Sequence, residues 1–280
     1  MRLQSWLFLI PLLANLLGIN LVLVSGQCQR DQQSMLLQLK NSLIFDSTLS
    51  VSLVQWSQST DCCTWSSVDC DVAGHVIGLN LSFESISGGI ENSTRLFGLQ
   101  YLQNLNLAFN SFNEAEIPPR LANLTNLAYL NLSEAGFTRQ IPIAISGMTR
   151  LVTLDLSTQS FIGSHLLKLE KLNLSGLVKN LKQLRELYLD SVNITANGDE
   201  WCQVLSSSLP NLRVLSLSSC FLSGPIHSSL ANLQSLSVIR LDQNNLSSPV
   251  SEFLADFPNL NSLRLSNCGL YRIIGLDVCV

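Results

Sequence analysis

Eight cysteines have the widest chemical range in this sequence, because a thiol forms disulfides, binds metal ions or acts as a nucleophile. Four of them, Cys28, Cys62, Cys63 and Cys70, follow a predicted secretory signal and therefore indicate disulfides. A bond between the adjacent Cys62 and Cys63 would be strained, which leaves the other pairings open. A zinc site is the alternative, but the C-x-x-C pairs and nearby histidines of such sites are missing.

The remaining cysteines and the histidines predict no catalytic or metal centre. Cys202 and Cys220 lie at the edge of one repeat and are predicted to form a disulfide, whereas Cys268 and Cys279 receive no assignment. The three histidines stand far apart, and no phosphate-binding glycine loop, G-x-S-x-G or H-E-x-x-H motif occurs. We therefore expect a protein that is not an enzyme and that needs no cofactor or metal.

Seven N-x-S/T sequons indicate a secreted glycoprotein. Two of them, at Asn80 and Asn131, fall between strand leucines, where a glycan would block the surrounding surface. Either Asn80 and Asn131 are not glycosylated or ligand binding takes place elsewhere. Asn92, Asn123 and Asn245 lie off the strands and are expected to be modified most readily. The full set is Asn80, Asn92, Asn123, Asn131, Asn173, Asn193 and Asn245.

A recurring leucine frame must position all of these residues. Its clearest copy runs from Leu124 to Phe137 and has the L-x-x-L-x-x-L-x-L-x-x-N-x-L spacing of a leucine-rich repeat. The basal period is about 24 residues, which is typical of such repeats. The interval between Leu154 and Leu187 is longer and indicates an insertion near 163–181. Indexed by the first residue of each L-x-L pair, the copies are Leu79, Leu105, Leu130, Leu154, Leu187, Leu215, Ile239 and Leu263.

The repeats predict an α/β repeat solenoid over residues 72–270, because one copy cannot bury its leucines alone. The L-x-L pairs would form a parallel sheet on the concave side. Prolines in the return stretches predict short 3₁₀ or helical turns on the convex side of this superhelix. The insertion is either a rim loop or an irregular half-repeat with Leu169, Leu172 and Leu174 in the core.

Residues 27–71 are expected to form a helical, disulfide-bonded cap over the exposed apolar end of the first repeat. Apolar residues at helical spacing predict a helix over residues 30–45, with Asp31 as its N-cap. Trp56 and Trp65 are expected to pack into the cap, and a ligand cage is the alternative.

Residues 1–26 are typical of a secretory signal peptide. Arg2 precedes an apolar run, and small residues at its end predict cleavage before Gln27. The alternative is a retained membrane anchor, because the run approaches the roughly 18–20 residues that a span needs. A net charge of -4 argues against nucleic acid as a partner, since that partner requires a basic surface.

Side chains that flank the strand leucines point out of the predicted sheet and offer a long surface of polar and aromatic groups. Such a surface suits a protein or peptide ligand, and it has no deep pocket with a convergent acid and base. The fifth position after the index residue is asparagine only at Asn110 and Asn244, so its hydrogen-bond ladder should be patchy. The predicted ligand contacts are Tyr129, Asp155, Tyr188, Asp190, Arg240, Asp242 and Arg264.

Together, the cap and the repeats resemble plant cell-surface leucine-rich-repeat receptor-like proteins. The resemblance covers roughly residues 30–270 and is closest to the Verticillium-wilt-resistance type. It implies the pairs Cys28–Cys62 and Cys63–Cys70. The stretches that carry it are Arg30-Asp31-Gln32, Cys62-Cys63-Thr64-Trp65-Ser66-Ser67-Val68-Asp69-Cys70, Gly74-His75-Val76-Ile77, Glu200-Trp201-Cys202 and Ile239-Arg240-Leu241-Asp242-Gln243-Asn244-Asn245-Leu246.

The resemblance implies an immune-receptor ectodomain that binds a microbial or apoplastic protein or peptide and signals through partner receptor kinases. Residues 271–280 lose the repeat frame, which predicts a truncated product, a fragment or a secreted short form. The expected location is the apoplast, or the outer side of the plasma membrane if a longer form carries a span. The alternative function is a secreted inhibitor of a microbial cell-wall hydrolase, similar to polygalacturonase inhibitors.

Overall fold

The computed structural model describes residues 26–91, 93–158, 167–170, 173–249 and 252–271. The predicted signal peptide therefore lies almost wholly outside the described residues. Across the described ranges, no helix combines the length and the apolar character needed to cross a membrane.

Thirteen β-strands and three α-helices occur in these ranges. The α-helices are α1 (Arg30–Ser42), α2 (Asn173–Val178) and α3 (Gly198–Ser208). The strands are β1 (Ile44–Phe45), β2 (Val68–Cys70), β3 (Val76–Asn80), β4 (Ile86–Gly88), β5 (Asn104–Asn106), β6 (Tyr129–Asn131), β7 (Arg139–Gln140), β8 (Thr153–Asp155), β9 (Leu167–Lys168), β10 (Glu186–Tyr188), β11 (Val214–Ser216), β12 (Val238–Arg240) and β13 (Ser262–Arg264).

Nine strands form one sheet in the order β13-β12-β11-β10-β8-β6-β5-β3-β2. Its neighbours are parallel except for the antiparallel pair of β2 and β3. In every parallel pair the index residues are partners, from Leu79 opposite Leu105 to Ile239 opposite Leu263. Consecutive repeats therefore pair in sequence order, and the predicted solenoid is confirmed.

The leucines of each L-x-L pair fill the interior between the sheet and the convex side. Index residues from Leu79 to Ile239 are at most 2% exposed, whereas Leu263 on the outermost strand is 39% exposed. Full burial of one such side chain contributes about 1.5–3 kcal/mol. Each repeat obtains that contribution only when its neighbours cover both of its faces.

Short 3₁₀-helices form much of the convex side, as the prolines predict. Pro118 and Pro142 occupy the N-cap positions of two of them, where a fixed φ suits the start of a helical turn. The 3₁₀-helices of the described residues are Leu53–Gln55, Cys62–Thr64, Leu96–Gly98, Pro119–Asn123, Ile143–Gly147, Ser228–Asn232 and Glu252–Asp256.

Helix α3 is longer than the turns that the prolines predict. The side chain of Asn197 accepts a hydrogen bond from the Glu200 backbone N–H at 3.0 Å, which caps the helix. Trp201, Cys202 and Leu205 then bury one face of it. Asn-x-x-Glu ahead of apolar residues at helical spacing was the available sequence signal.

The described part of the predicted insertion belongs to the core. Leu169 and Leu174 are 1% and 3% exposed, and β9 pairs in parallel with β7. These contacts support the half-repeat interpretation over the rim loop. Leu172 and His165 lie outside the described residues.

The cap helix differs in detail from its prediction. Helix α1 ends at Ser42, because Ile44 and Phe45 instead pair antiparallel with β4. Asp31 lies in the first turn, where the helix dipole favours a carboxylate, and the N-cap residue is Gln29. The prediction of Asp31 as N-cap was therefore wrong.

The two cap tryptophans are buried and stacked, with ring centroids 4.9 Å apart. Trp56 Nε1 donates to Ser67 Oγ at 3.0 Å, and Trp65 Nε1 donates to Thr60 Oγ1 at 2.8 Å. These partners satisfy both indole N–H groups inside the protein. Trp56 and Trp65 therefore pack inside the cap, as predicted, and do not form an open ligand cage.

Candidate ligand-recognition face

Alternate residues of the central strands point to the concave side of the sheet. One such residue follows each index residue directly, and we call this set the central row. Strand register places Asp155 beside Tyr188, and Ser216 between Tyr188 and Arg240. The central row is Asn80, Asn106, Asn131, Asp155, Tyr188, Ser216, Arg240 and Arg264.

The structure brings all seven predicted contact residues onto this concave face. Four of them belong to the central row. Tyr129 precedes the index residue of β6, and Asp190 and Asp242 each lie three residues after an index residue. Their shared position follows from the sequence frame, and their contact with a ligand remains a prediction.

The part of this face on β8 and β10 is acidic and aromatic. Burial raises the pKa of the Asp155 carboxyl, and the nearby Asp190 charge adds to the rise. Burial also raises the pKa of the Tyr188 phenol, assisted by Glu186 and Asp155. Asp190 is held in place, because it accepts hydrogen bonds from Ser216 Oγ at 2.7 Å and from the Ser218 N–H at 2.7 Å.

The part of the face on β12 and β13 is basic. Arg264 Nε lies 3.0 Å from Asp242 Oδ2, and the Asp242 side chain also accepts the Ser266 N–H at 2.9 Å. Asp242 is only 6% exposed, so this ion pair fixes one arginine. Arg240 Nε is buried and has no hydrogen-bond partner among the described residues.

Opposite charges therefore lie apart along one continuous surface. Asp155 on β8 and Arg240 on β12 are separated by three strand spacings, about 14 Å at ~4.8 Å per strand. Such an arrangement suits a long, charged, extended partner.

Two disulfides close the cap. They join Cys28 to Cys62 and Cys63 to Cys70, with a Cα–Cα distance of 5.5 Å in each, as the family resemblance implied. The sulfurs of Cys28, Cys62 and Cys63 lie within 4.8 Å of an Asp61 carboxylate oxygen. Their disulfide bonds leave no thiolate for a metal ion, and Asp61 accepts the Cys63 N–H at 2.9 Å.

The predicted disulfide between Cys202 and Cys220 was wrong, because both thiols are free and buried. Cys202 lies on α3 and bonds to the His227 backbone, whereas Cys220 Sγ donates to Leu189 O at 3.0 Å. Burial raises the pKa of Cys202 to about 12 and that of Cys220 well above its usual value. Cys268 is also free, and Cys279 lies outside the described residues.

Cys220 instead belongs to the ladder at the fifth position after the index residues. Asn244 Nδ2 donates to Leu217 O and Leu241 O at 2.8 Å, and its Oδ1 accepts the Cys220 N–H at 3.1 Å. Asn110 makes the equivalent bonds near the start of the array. Cys220 thus donates its ladder bond to Leu189 O, where asparagine would make several bonds.

The sequons differ in their surroundings. Asn131 is half-buried, and its Nδ2 donates to the Tyr129 hydroxyl at 3.2 Å. Asn80 is exposed, as are Asn123 and Asn245, which lie off the main sheet. Asn92 lies outside the described residues. Asn173 and Asn193 are located on α2 and beside Lys168 respectively.

The sequence matches two family descriptions, "Leucine rich repeat N-terminal domain" over residues 30–71 and "Leucine Rich Repeat" over residues 211–233. Receptor-like protein 6 of Arabidopsis thaliana is 34% identical over 76% of the chain, and receptor-like protein Cf-9 of Solanum pimpinellifolium is 33% identical over 74%. The chain spans 23% and 25% of these relatives.

A solved structure, the plant peptide hormone receptor RGFR1 in complex with RGF2, is also similar. It is 28% identical over 67% of this chain and 27% of its own, with a TM-score of 0.55. The register, the paired cap cysteines and these likenesses together define a plant-type leucine-rich-repeat solenoid with a disulfide-bonded cap.

More particularly, the chain is similar to plant leucine-rich-repeat receptor-like proteins over about a quarter of their length, in agreement with the resemblance seen in the sequence. The Verticillium-wilt-resistance type remains a prediction from the quoted stretches.

Proposed function

We propose that this chain is the recognition part of an extracellular receptor-like protein and binds a protein or peptide along β6 to β13. The observation behind this proposal is the central row. Its side chains differ from strand to strand, as Asp155, Tyr188 and Arg240 do, whereas the L-x-L residues beneath them are leucine or isoleucine in each repeat. Folding alone would require only that the side chains at these central-row positions tolerate water. Aromatic and arginine side chains are the types that dominate binding energy at protein interfaces.

The comparison with RGFR1 supports an extended peptide as one kind of ligand, because that receptor's structure is a complex with RGF2. A ligand with a basic group near Asp155 and an acidic group near Arg240 would match these two charged parts of the face. Residues Tyr129, Tyr188 and Arg240 are the proposed anchors. Asp190, Asp242 and Arg264 lie on the same face and are held in place by hydrogen bonds from Ser216 and Ser266 and by the ion pair between Asp242 and Arg264.

The wider receptor role is part of the same proposal. The relatives are named receptor-like proteins, and this chain spans about a quarter of their length. We propose that it acts at the plant cell surface or in the apoplast, in defence, and that any longer form signals through partner receptor kinases. The two cap disulfides support an oxidising compartment.

A displayed library of random 12-residue peptides, selected on the secreted protein, tests the binding face. We expect Arg240→Glu to weaken selected peptides at least about tenfold, because it reverses the charge at a proposed anchor. Arg120→Glu is the matched control, since Arg120 lies on the convex 3₁₀-helix Pro119–Asn123. Dissociation constants measured by calorimetry decide the comparison.

Equal loss of affinity in both variants would contradict the assignment of binding to the concave face. Failure of the selection to enrich any peptide would count against a short peptide ligand. Inhibition of a fungal polygalacturonase by the purified protein, undiminished in Arg240→Glu, would favour the secreted hydrolase inhibitor predicted as the alternative.

A further inference from the structure

Two phenylalanines form an exposed aromatic pair at the N-terminal end of the concave face. The rings of Phe83 and Phe109 stack with centroids 4.3 Å apart and planes 8° from parallel. Their side chains are 64% and 47% exposed. Both backbones are left-handed, with φ of 59° and 55°, a conformation that bulky residues rarely adopt.

The fold does not require aromatic rings at these positions. Four residues after the index residue, later repeats carry Ser191, Ser219 and Gln243 in the same left-handed turn. Polar residues can therefore form this turn, and unlike phenylalanine they expose no large apolar surface to water. The phenylalanine pair thus leaves an apolar platform without a protein cover in the described residues.

A sequon lies beside this platform. Asn80 ends β3 and is exposed, and its Oδ1 accepts hydrogen bonds from Ser82 N at 3.2 Å and Ser82 Oγ at 2.8 Å. The bonds fold the turn back on Asn80, and Phe83 follows Ser82 directly. Asn80 Nδ2 donates to no described residue. Asn106 in the adjacent strand has the same turn geometry, but Ala108 in place of a hydroxyl residue removes its sequon.

We propose that an N-linked glycan on Asn80 covers the Phe83–Phe109 pair, with the first N-acetylglucosamine packed on the ring faces. A lipid-diphosphate-linked oligosaccharide supplies the sugar: its C1 bonds to Asn80 Nδ2, the amide loses a proton, and the lipid diphosphate leaves. One face of the pyranose ring presents C–H groups, which pack against aromatic faces as apolar surface does. The proposal rests on the secretory-pathway part of the proposed function.

This cover divides the concave face. The glycan occupies the first two repeats, whereas the seven proposed ligand contacts begin at Tyr129 on β6 and extend to β13. Modification of Asn80 and ligand binding are therefore compatible. A glycan on Asn131 would instead stand among those contacts, beside Tyr129.

Ser82→Ala and Ser82→Thr, secreted from insect cells, test the proposal. The alanine variant removes the sequon, whereas the threonine variant keeps both the sequon and the hydroxyl. We expect Ser82→Ala to lower the Tm by about 2–4 °C and Ser82→Thr to leave it unchanged. In a Phe83→Ser/Phe109→Ser background, Ser82→Ala should lower the Tm by clearly less, because only the hydrogen bond from Ser82 Oγ to Asn80 is then lost. Thr125→Ala, which removes the Asn123 sequon on the convex side, is the control for general glycan effects.

Enzymatic trimming to a single N-acetylglucosamine separates the contact from the rest of the glycan. We expect the trimmed protein to keep the Tm of the intact form, because the first sugar makes the contact. Glycopeptide mass spectrometry that finds Asn80 bare in the secreted protein would overturn the proposal. An equal Tm loss from Ser82→Ala with and without the phenylalanines would also overturn it, and neither result bears on peptide binding at Arg240.

Discussion

Asparagine occupies the central row in the first three repeats, and Asp155 is the first residue of that row to carry a charge. Its Oδ1 accepts the Ser157 N–H at 3.0 Å, as the Oδ1 of Asn131 accepts the Ser133 N–H at 2.8 Å. An amide therefore meets the need of the backbone N–H. The Asp155 carboxylate also accepts side-chain hydrogen bonds from Ser157 and Ser133, but burial and the Asp190 charge outweigh them and raise its pKa. A buried charge of this kind lowers stability, and a role in ligand binding would explain its presence.

Replacing that carboxylate should stabilise the protein at neutral pH. The folded-state pKa of Asp155 is raised, so ionisation costs stability above it, and protonation relieves that cost as the pH falls. We expect Asp155→Asn to gain on the order of 1 kcal/mol at pH 7 and to lose this advantage below the raised pKa. Urea unfolding of both proteins at several pH values measures the difference.

Asp190→Asn is the contrasting variant. Asp190 accepts bonds from Ser216 Oγ and the Ser218 N–H, so loss of its charge should bring no gain. If Asp155→Asn instead proved less stable than the parent at pH 7, the carboxylate would have a structural role, and the functional argument for it would fail.

At the scale of elements, one buried carboxylate adds to the strand pairs β1–β4 and β2–β3 that join the cap to the first repeat. Glu84 is 3% exposed and accepts the Ser52 N–H at 2.9 Å, the Leu53 N–H at 3.1 Å and the Ser50 hydroxyl. Burial alone would raise its pKa, but these hydrogen bonds outweigh burial and lower it. An ionised acid is therefore one of the contacts that hold the cap on the array.

Glu84→Ala should loosen the cap, because it leaves buried N–H groups without an acceptor. We expect a loss of about 2–4 kcal/mol at pH 7. A lowered folded-state pKa gives stability that is present above the ordinary value of 4.5 and is lost as the pH falls through the lowered value. The parent should therefore lose this stabilisation in acid, and the variant should not.

Limited proteolysis and urea unfolding at pH 7 and in acid provide the measurements. Glu91→Ala removes an exposed acid of the same repeat region and serves as the control. A parallel acid response in the parent and Glu84→Ala would show that another group controls the cap.

The repeat elements were predictable because one periodic pattern specifies them. Leucines two apart predict which face of each strand is buried, and that alternation also placed all seven contact residues outward. The Glu84 joint was not predictable, since it pairs a position normally held by asparagine with a cap loop that is distant in the sequence. The disulfide prediction for Cys220 was wrong because the sequence does not distinguish a buried free cysteine of the ladder from a cysteine in a disulfide.

At the scale of the whole molecule, stability should vary along the array. Each inner strand has a neighbour on both sides, whereas β13 has one in the described part and its Leu263 is 39% exposed. The opposite end is closed by β2 and the cap. In such arrays stability is approximately a sum over repeats and their interfaces.

Amide hydrogen exchange followed by mass spectrometry should therefore show a gradient. We expect β6, β8, β10 and β11 to exchange slowest, β3 nearly as slowly, and β13 fastest. Uniform protection from β3 to β13 would mean that the array opens as one cooperative unit, contrary to this expectation.

The strand register is the same across the longest interval between repeats. Leu154 pairs with Leu187 although the inserted segment lies between them. The described part of this segment includes α2, which packs against the 3₁₀-helix Ile143–Gly147, and the strand pairing is unchanged. Unequal crossing-over within such a gene would therefore add, delete or exchange repeats and still yield a folded product. A lineage built this way can acquire new binding combinations by recombination as well as by point mutation, with the buried frame unaltered.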